Sequence, residues 1–293
     1  MRYLIAGDVM VDVLTFLQDD IHFGDDNRAT IEFAGGGVSA NVAAWMTVAG
    51  ERPILHCAIG DDVLGEALVA DLERQGVIVR AVRSPGPTGA VVALVHPDGE
   101  RTMFPSAGAN ASLPADIIDM EVLPGDHVHV SGYFLLREYS RPAALHYIAT
   151  AKEHGASVSL DPASARLIGV MGRQAVLEAM SGVDLMICNE LEATALTGLP
   201  THEEAAESLG QRFPTAIVKL GPDGACAWDG QRLLTVPAEP TEVVSTVGAG
   251  DAFDAAAIVA WKRGLALPSV LAAGNHNGHL VVRQRGARPR ILP

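Results

Sequence analysis

Short apolar runs alternate along this chain with longer stretches in which apolar residues recur every three or four positions. The runs Tyr3–Ala6, Ile54–Ile59, His127–Ser131, Ser157–Leu160, Leu185–Cys188, Ala216–Leu220 and Ala225–Trp228 predict strands. The stretches Ala40–Ala49, Leu64–Gln75, Arg141–His154, Arg173–Met180, Glu190–Thr197 and Thr201–Arg212 predict helices. Strand followed by helix, again and again, is the signature of βαβ units and a largely parallel sheet. The rhythm changes after Leu220. Gly221-Pro222-Asp223-Gly224 and Asp229-Gly230 are turn sequences, so Ala225–Trp228 and Gln231–Val236 close the sheet as antiparallel strands.

Two other segments break the pattern. Val11–Leu17 and Ala29–Phe33 are strand-like, and Ala90–Val95 and Glu100–Phe104 flank His96-Pro97-Asp98-Gly99 as a hairpin. Read together they make a small sheet standing off the main body, a lid assembled from residues of about 12–34 and 88–105 within one domain spanning 1–293. The alternative is an edge extension of the main sheet. Ser84-Pro85-Gly86-Pro87 is a hinge candidate.

Composition narrows the class. At 48% hydrophobic and 19% charged over 293 residues, the chain can bury a sizeable core. The net charge of −14 argues against nucleic acid and anionic membranes as partners. Cys57, Cys188 and Cys226 are far apart and apolar in context, which predicts buried free thiols and a reducing, cytoplasmic setting. No apolar run approaches a membrane span, and the N-terminal run is too short for a signal peptide.

Candidate chemistry lies in a few glycine- and acid-bearing stretches. Ser245-Thr246-Val247-Gly248-Ala249-Gly250-Asp251 reads as a tight loop opening a helix, with a carboxylate on the first turn. Gly248, Ala249 and Gly250 would let backbone N–H groups converge on an anion, helped by the helix dipole. Asp251 could receive a proton from an attacking hydroxyl, or simply cap the helix. The helix N-terminus is expected to push its pKa down, not up, making it ionised at neutral pH but a weak base. Gly35, Gly37 and Ala40 match a dinucleotide-binding pattern loosely; equally, Gly36 and Gly37 would let a polyhydroxylated ligand approach, with Asn41 as its donor and acceptor. Asp8 and Asp12 follow the first strand, where ligands of open α/β sheets gather. Asn189 and Glu192 suit either a water-held Mg²⁺ or a capping box. Lys219-Leu220-Gly221-Pro222-Asp223-Gly224 is a hairpin or a nucleotide border. His276 and His279 are three apart with no third ligand in sight. There is no G-x-x-x-x-G-K-[ST], no protein-kinase catalytic loop and no G-x-S-x-G.

In this order, Gly36-Gly37…Asn41, Gly108-Ala109-Asn110, Asn189…Glu192, Lys219-Leu220-Gly221…Gly224, Gly248-Ala249-Gly250-Asp251 and Gly286-Ala287, the chain resembles the ribokinase-like (PfkB) carbohydrate kinases over essentially its whole length. The resemblance implies a three-layer α/β/α body with a β-sheet lid, and the hairpin around Asp98-Gly99-Glu100-Arg101 then covers the sugar. It implies ATP-dependent phosphorylation of a sugar, or of a nucleoside in the nearest alternative. An NAD(P)-dependent oxidoreductase, resting on Gly35–Ala40, is the alternative of a different class.

By position, the resemblance makes Asp251 the catalytic base and Gly248, Ala249 and Gly250 the anion hole. Asp12, Gly36, Gly37 and Asn41 would hold substrate hydroxyls. Lys219, Gly221, Gly224 and Asn275 would line the nucleotide, and Asn189 and Glu192 would organise Mg²⁺ through water. Relatives carry Asp where this chain has Ser245, which argues against K⁺ activation. Pairing of lid edges between subunits would give a homodimer. The basic residues Arg283, Arg285, Arg288 and Arg290 read as a solvated C-terminal face.

Overall fold

The computed structural model describes residues 1–96, 101–119 and 121–290. Its strands are β1 (Tyr3–Ala6), β2 (Met10–Leu17), β3 (Ala29–Gly36), β4 (Ile54–Gly60), β5 (Ile78–Ser84), β6 (Ala90–Val95), β7 (Arg101–Ser106), β8 (His127–Ser131), β9 (Ser157–Asp161), β10 (Leu185–Asn189), β11 (Thr215–Lys219), β12 (Ala225–Trp228) and β13 (Leu233–Val236). The helices are α1 (Val38–Val48), α2 (Val63–Arg74), α3 (Gly132–Leu136), α4 (Arg141–Glu153), α5 (Ala165–Met171), α6 (Arg173–Ala179), α7 (Glu190–Thr197), α8 (His202–Arg212), α9 (Ala249–Lys262) and α10 (Leu267–Val282).

Nine strands form one sheet in the order β13-β12-β11-β10-β9-β8-β1-β4-β5, parallel from β11 to β5. β12 and β13 pair antiparallel, as the turn sequences before them predict. Successive residues of a strand feed opposite cores: Leu4 and Ala6 pack with α3–α8, while Tyr3 and Ile5 pack with α1, α2, α9 and α10. Both faces are therefore covered, giving the α/β/α layers. β1 and β8 are wholly buried, which is why they read as apolar runs. β5 has no counterpart among the predicted strands. It is the sheet edge, and Arg80 and Arg83, half exposed there, interrupt its apolar pattern.

The second sheet is separate, with order β3-β2-β6-β7, so the edge-extension alternative is excluded. β2 joins the two insertions by pairing parallel with β6 and antiparallel with β3. The turn of the β6–β7 hairpin, at residues 97–100, lies outside the described residues. Pleating splits this sheet into two faces. In one row Phe33, Val92 and Phe104 are exposed while Val13 between them packs partly against the core; the neighbouring row places Asp12, Val91 and Pro105 on the cavity described below. All three cysteines are buried and free. No helix of the described residues is long and apolar enough to cross a membrane.

Candidate active site

Parallel strands end at one edge, and the carboxyl ends of β1, β8, β9, β10 and β11 deliver Asp8, Tyr133, Asp161, Asn189 and Lys219 to it or just beyond it. A cavity of about 470 Å³ opens there between the two helical layers and under the lid sheet. Asp8, Gly37, Asn41, Gly248 and Asp251 line the side that belongs to β1, α1 and α9, with Asp12 of β2 above them.

Each glycine of this side has a steric reason. A Cβ at Gly36 would run into the Asp12 carboxylate, and one at Gly35 into the Arg288 guanidinium. Gly37 caps α1 at φ +95°, and a Cβ there would stand 2.6 Å from the Asp8 carbonyl oxygen. The Asp8 carboxylate accepts the Val38 and Ser39 backbone N–H groups, each at 3.2 Å, and so caps α1 from outside. Gly248 sits at φ +80° as the N-cap of α9, pressed on Ala287. That contact accounts for the Gly286-Ala287 pair near the end of the chain. Ala249 N–H donates to the Thr246 carbonyl at 3.3 Å, while the N–H groups of Gly248, Gly250 and Asp251 have no partner among the described residues and remain available to an anion.

Asp251 accepts a hydrogen bond from Asn41 Nδ2 at 2.8 Å. Here the structure corrects the sequence reading. Burial pushes the Asp251 carboxyl up to about 7, with Asp161 and Asp8 adding repulsion, while Asn41 and Lys219 pull it down. Desolvation outweighs the dipole because the half-buried carboxylate faces a cavity shared with other acids rather than open solvent. The base is therefore stronger than a helix-terminal aspartate would be. Asp12, also pushed mainly by burial, rises to about 6.

Arg288 is the residue the sequence reading missed. It is 8% exposed, not part of a solvated face. Its guanidinium donates to the Gly36 carbonyl at 2.9 Å, to Asp71 Oδ2 at 3.1 Å and to Asn41 Oδ1 at 3.4 Å. The tail is folded inward by Trp45 Nε1, which donates to the Ala287 carbonyl at 2.7 Å. Arg288 thus fixes which end of the Asn41 amide faces Asp251. The only sequence signal was its position one residue after Gly286-Ala287. Replacing Arg288 by Met frees the amide to turn and weakens its hold on the carboxylate, so the acid limb of the kcat/KM pH profile moves up from near 7. An unmoved limb would contradict this chain of contacts.

Lys219 is likewise not open to a ligand. Its ammonium donates to Asp161 Oδ2 at 2.5 Å and to Asp254 Oδ1 at 2.9 Å, and is 3.2 Å from where a Gly250 Cβ would stand. A cation amid this many acids is drawn inward, beneath the α9 loop. The pair with Lys219 keeps Asp161 below the carboxylate range despite its burial, whereas burial pushes Asp254 well above it. A protonated Asp254 would leave the cluster close to neutral, as burial favours.

Asn189 and Glu192 form both bonds of a capping box at the start of α7. Glu192 is buried and raised to about 7, first by desolvation and then by Asp161. Asn275 is buried and donates to the Val236 and Pro237 carbonyls at 2.9 and 3.1 Å. Gly221 (φ +60°) and Gly224 (φ +99°) shape the β11–β12 turn, and a Cβ at Gly224 would run into the Val236 carbonyl. Asn110 clamps Val9 by both backbone groups, at 3.0 and 2.9 Å. His276 and His279 share Glu239, but among the described residues no group of three His, Cys, Asp or Glu is placed to hold a metal.

Comparison with known proteins agrees with this layout. The family model described as pfkB family carbohydrate kinase matches residues 3–293. An ATP-dependent ribose-1-phosphate kinase of Halopiger xanaduensis is 33% identical, spanning 98% of this chain and 94% of its own. A ribokinase of Lactococcus lactis is 25% identical, over 97% and 91%. The crystal structure of adenosine kinase from Sinorhizobium meliloti matches with a TM-score of 0.86 at 25% identity, over 99% of this chain and 96% of that one. The Gly35–Ala40 pattern therefore belongs to a kinase and not to a dinucleotide-dependent oxidoreductase. The chain belongs to the pfkB family of carbohydrate kinases and is an ATP-dependent phosphotransferase whose acceptor is an alcohol group of a sugar.

Proposed function

We propose that the acceptor contains a ribose ring and that Asp251 is its catalytic base. The relatives compared above are named for ribose 1-phosphate, ribose and adenosine, and a ribosyl group is common to all three. The observation that carries the site assignment is Asp251 itself. It lines the cavity on the first turn of α9, beside free backbone donors, with its carboxylate aimed by Asn41.

Asp12, Gly36, Gly37 and Asn41 hold ring hydroxyls; the glycines bring bare backbone against the sugar. The acceptor oxygen attacks the γ-phosphorus in line, and the bond to the β,γ-bridging oxygen breaks. The N–H groups of Gly248 and Gly250 meet the growing negative charge, joined by that of Ala249 when it turns from the Thr246 carbonyl, and Asp251 accepts the hydroxyl proton. ATP lies against the β11–β12 turn, with Gly221 and Gly224 as its border and Asn275 beside its base; Lys219 acts from below the loop rather than on the nucleotide. Among the described residues Asn189 and Glu192 suit Mg²⁺, since the capping box engages one oxygen of each and Glu192 keeps a second oxygen for a water-held ion. When bound, Mg²⁺ offsets the charge of the phosphate oxygens. The Ser245 hydroxyl oxygen accepts from the Val247 N–H at 3.3 Å and supplies no charge to a monovalent cation.

The lid excludes water from this reaction when it closes. Its outer face carries Phe33, 72% exposed, with Phe104 and Val92 also open. Such an apolar row suits a second copy of the chain, so a homodimer through the lid is part of the proposal. The setting is cytoplasmic.

ADP release across a panel of sugars, sugar acids and nucleosides, each with and without K⁺, tests the reading. The expected result is turnover with a ribosyl acceptor and less than about a twofold response to K⁺. Selective turnover of an acceptor without a ribosyl group overturns the substrate assignment. Strong activation by K⁺ overturns the reading of Ser245.

A further inference from the structure

The opposite wall of the cavity has a different character. It comes from the other helical layer, where Arg137 follows α3, Ser140 precedes α4 and Arg166 lies in the first turn of α5. In a chain of net charge −14, neither arginine is ion-paired among the described residues. Arg137 is held ready by neutral groups. It donates to the Tyr139 hydroxyl at 2.9 Å and its guanidinium carbon lies 5.3 Å from the Tyr133 ring centroid. Ser140 is 3% exposed, and its hydroxyl has no hydrogen-bond partner among the described residues. A buried, unpartnered hydroxyl and two guanidinium groups without an ion-pair partner, lining one wall of the cavity, call for an acceptor that the protein does not itself provide.

The cavity is thus polarised. Asp8, Asp12 and Asp251 stand on one side and would repel an anion; Arg137 and Arg166 stand on the other and attract one. A neutral sugar satisfies only the first side. We propose that Arg137, Ser140 and Arg166 form a subsite for a phosphomonoester carried by the acceptor, so that the substrate is a sugar phosphate. Two guanidinium forks and a hydroxyl match a tetrahedral dianion with three free oxygens, whereas a carboxylate offers two oxygens and one charge. With the phosphate anchored there, a hydroxyl at the far end of the sugar faces Asp251. Its oxygen bonds to the γ-phosphorus, the bond to ADP breaks, and its proton goes to Asp251. The product is a sugar bisphosphate. The assignment rests on the kinase reading above and adds the class of acceptor.

The test compares D-ribose 1-phosphate, D-ribose and D-ribonate as acceptors for the wild type, Arg137→Met, Arg166→Met, the double variant and Ser140→Ala. Thermal midpoints confirm folding. Calorimetry measures ribose 1-phosphate binding without ATP. For the wild type, kcat/KM for ribose 1-phosphate exceeds that for ribose by about 10² or more, and the double variant brings this ratio close to one, chiefly through KM. Preference for ribose or ribonate, or a ratio unchanged in the double variant, overturns the proposal while leaving the kinase reading intact. The two readings also separate in the other direction. If no acceptor releases ADP but ribose 1-phosphate binds, at least tenfold weaker to the double variant, the subsite stands and the acceptor assignment falls.

Discussion

Replacing Asp251 by Asn lowers kcat by about 10² or more and, at pH 8, makes the protein more stable. Both effects come from one burial. The carboxyl is held near 7 in the folded chain, first by desolvation, against about 3.9 for an unfolded aspartate. Between those two values the folded protein binds a proton that the unfolded chain has lost. Stability therefore falls as pH rises through this window, and the cost of a buried carboxylate is fully present above 7. Asparagine carries no charge and its side-chain carbonyl still accepts the bond from Asn41 Nδ2, so the thermal midpoint rises by several degrees at pH 8 and the difference fades below pH 4. The same change removes the carboxylate proposed to take the acceptor's proton. Turnover within tenfold of the wild type would remove Asp251 from the chemistry. A lowered midpoint at pH 8 would show that the carboxylate is not strained by its surroundings.

The second large effect is structural. Lys219→Met is expected to cost about 3–5 kcal/mol, because it strands the Asp161 carboxylate in a buried site. The ammonium is 13% exposed and the two acids it binds are 7% and 1% exposed. Asp254→Asn is the control. Burial pushes Asp254 well above the carboxylate range and so favours its neutral form, which makes the amide a close replacement that costs about 1 kcal/mol or less. Urea denaturation of both variants reads the difference. Equal losses would show that Asp254 is charged and that the cluster is not the neutral set its burial implies. The cluster matters to the site because Lys219 lies directly under Gly250, so its loss also loosens the turn proposed to bind the anion.

How much of this was legible in the chain differs by element. The interior parallel strands were, because a strand covered on both faces must be apolar throughout, as in Ile54–Gly60, buried at every residue. The lid was legible as two insertions because its strands interrupt the strand–helix alternation. β5 was not, since an edge strand tolerates arginines. In the site, the glycines were legible because positive φ and close approach leave few substitutes, as at Gly37 and Gly248. The roles of charged residues were less so. Lys219 reads as a ligand-facing cation beside a turn, but its direction is set by Asp161 and Asp254, each from a distant part of the chain. Arg288 reads as one of several tail arginines, and only the fold shows that one of them is buried.

The sequence by itself determined the α/β class, the order of motifs, the family resemblance and the loop that opens α9, because these depend on local periodicity and on glycine's conformational freedom. Tertiary structure alone decided the strength of Asp251 as a base, the inward turn of Lys219, the Arg288–Asn41–Asp251 chain and the polarised cavity. Each of those depends on desolvation and on charges brought together from opposite ends of the chain, and neither is encoded in any short stretch of residues.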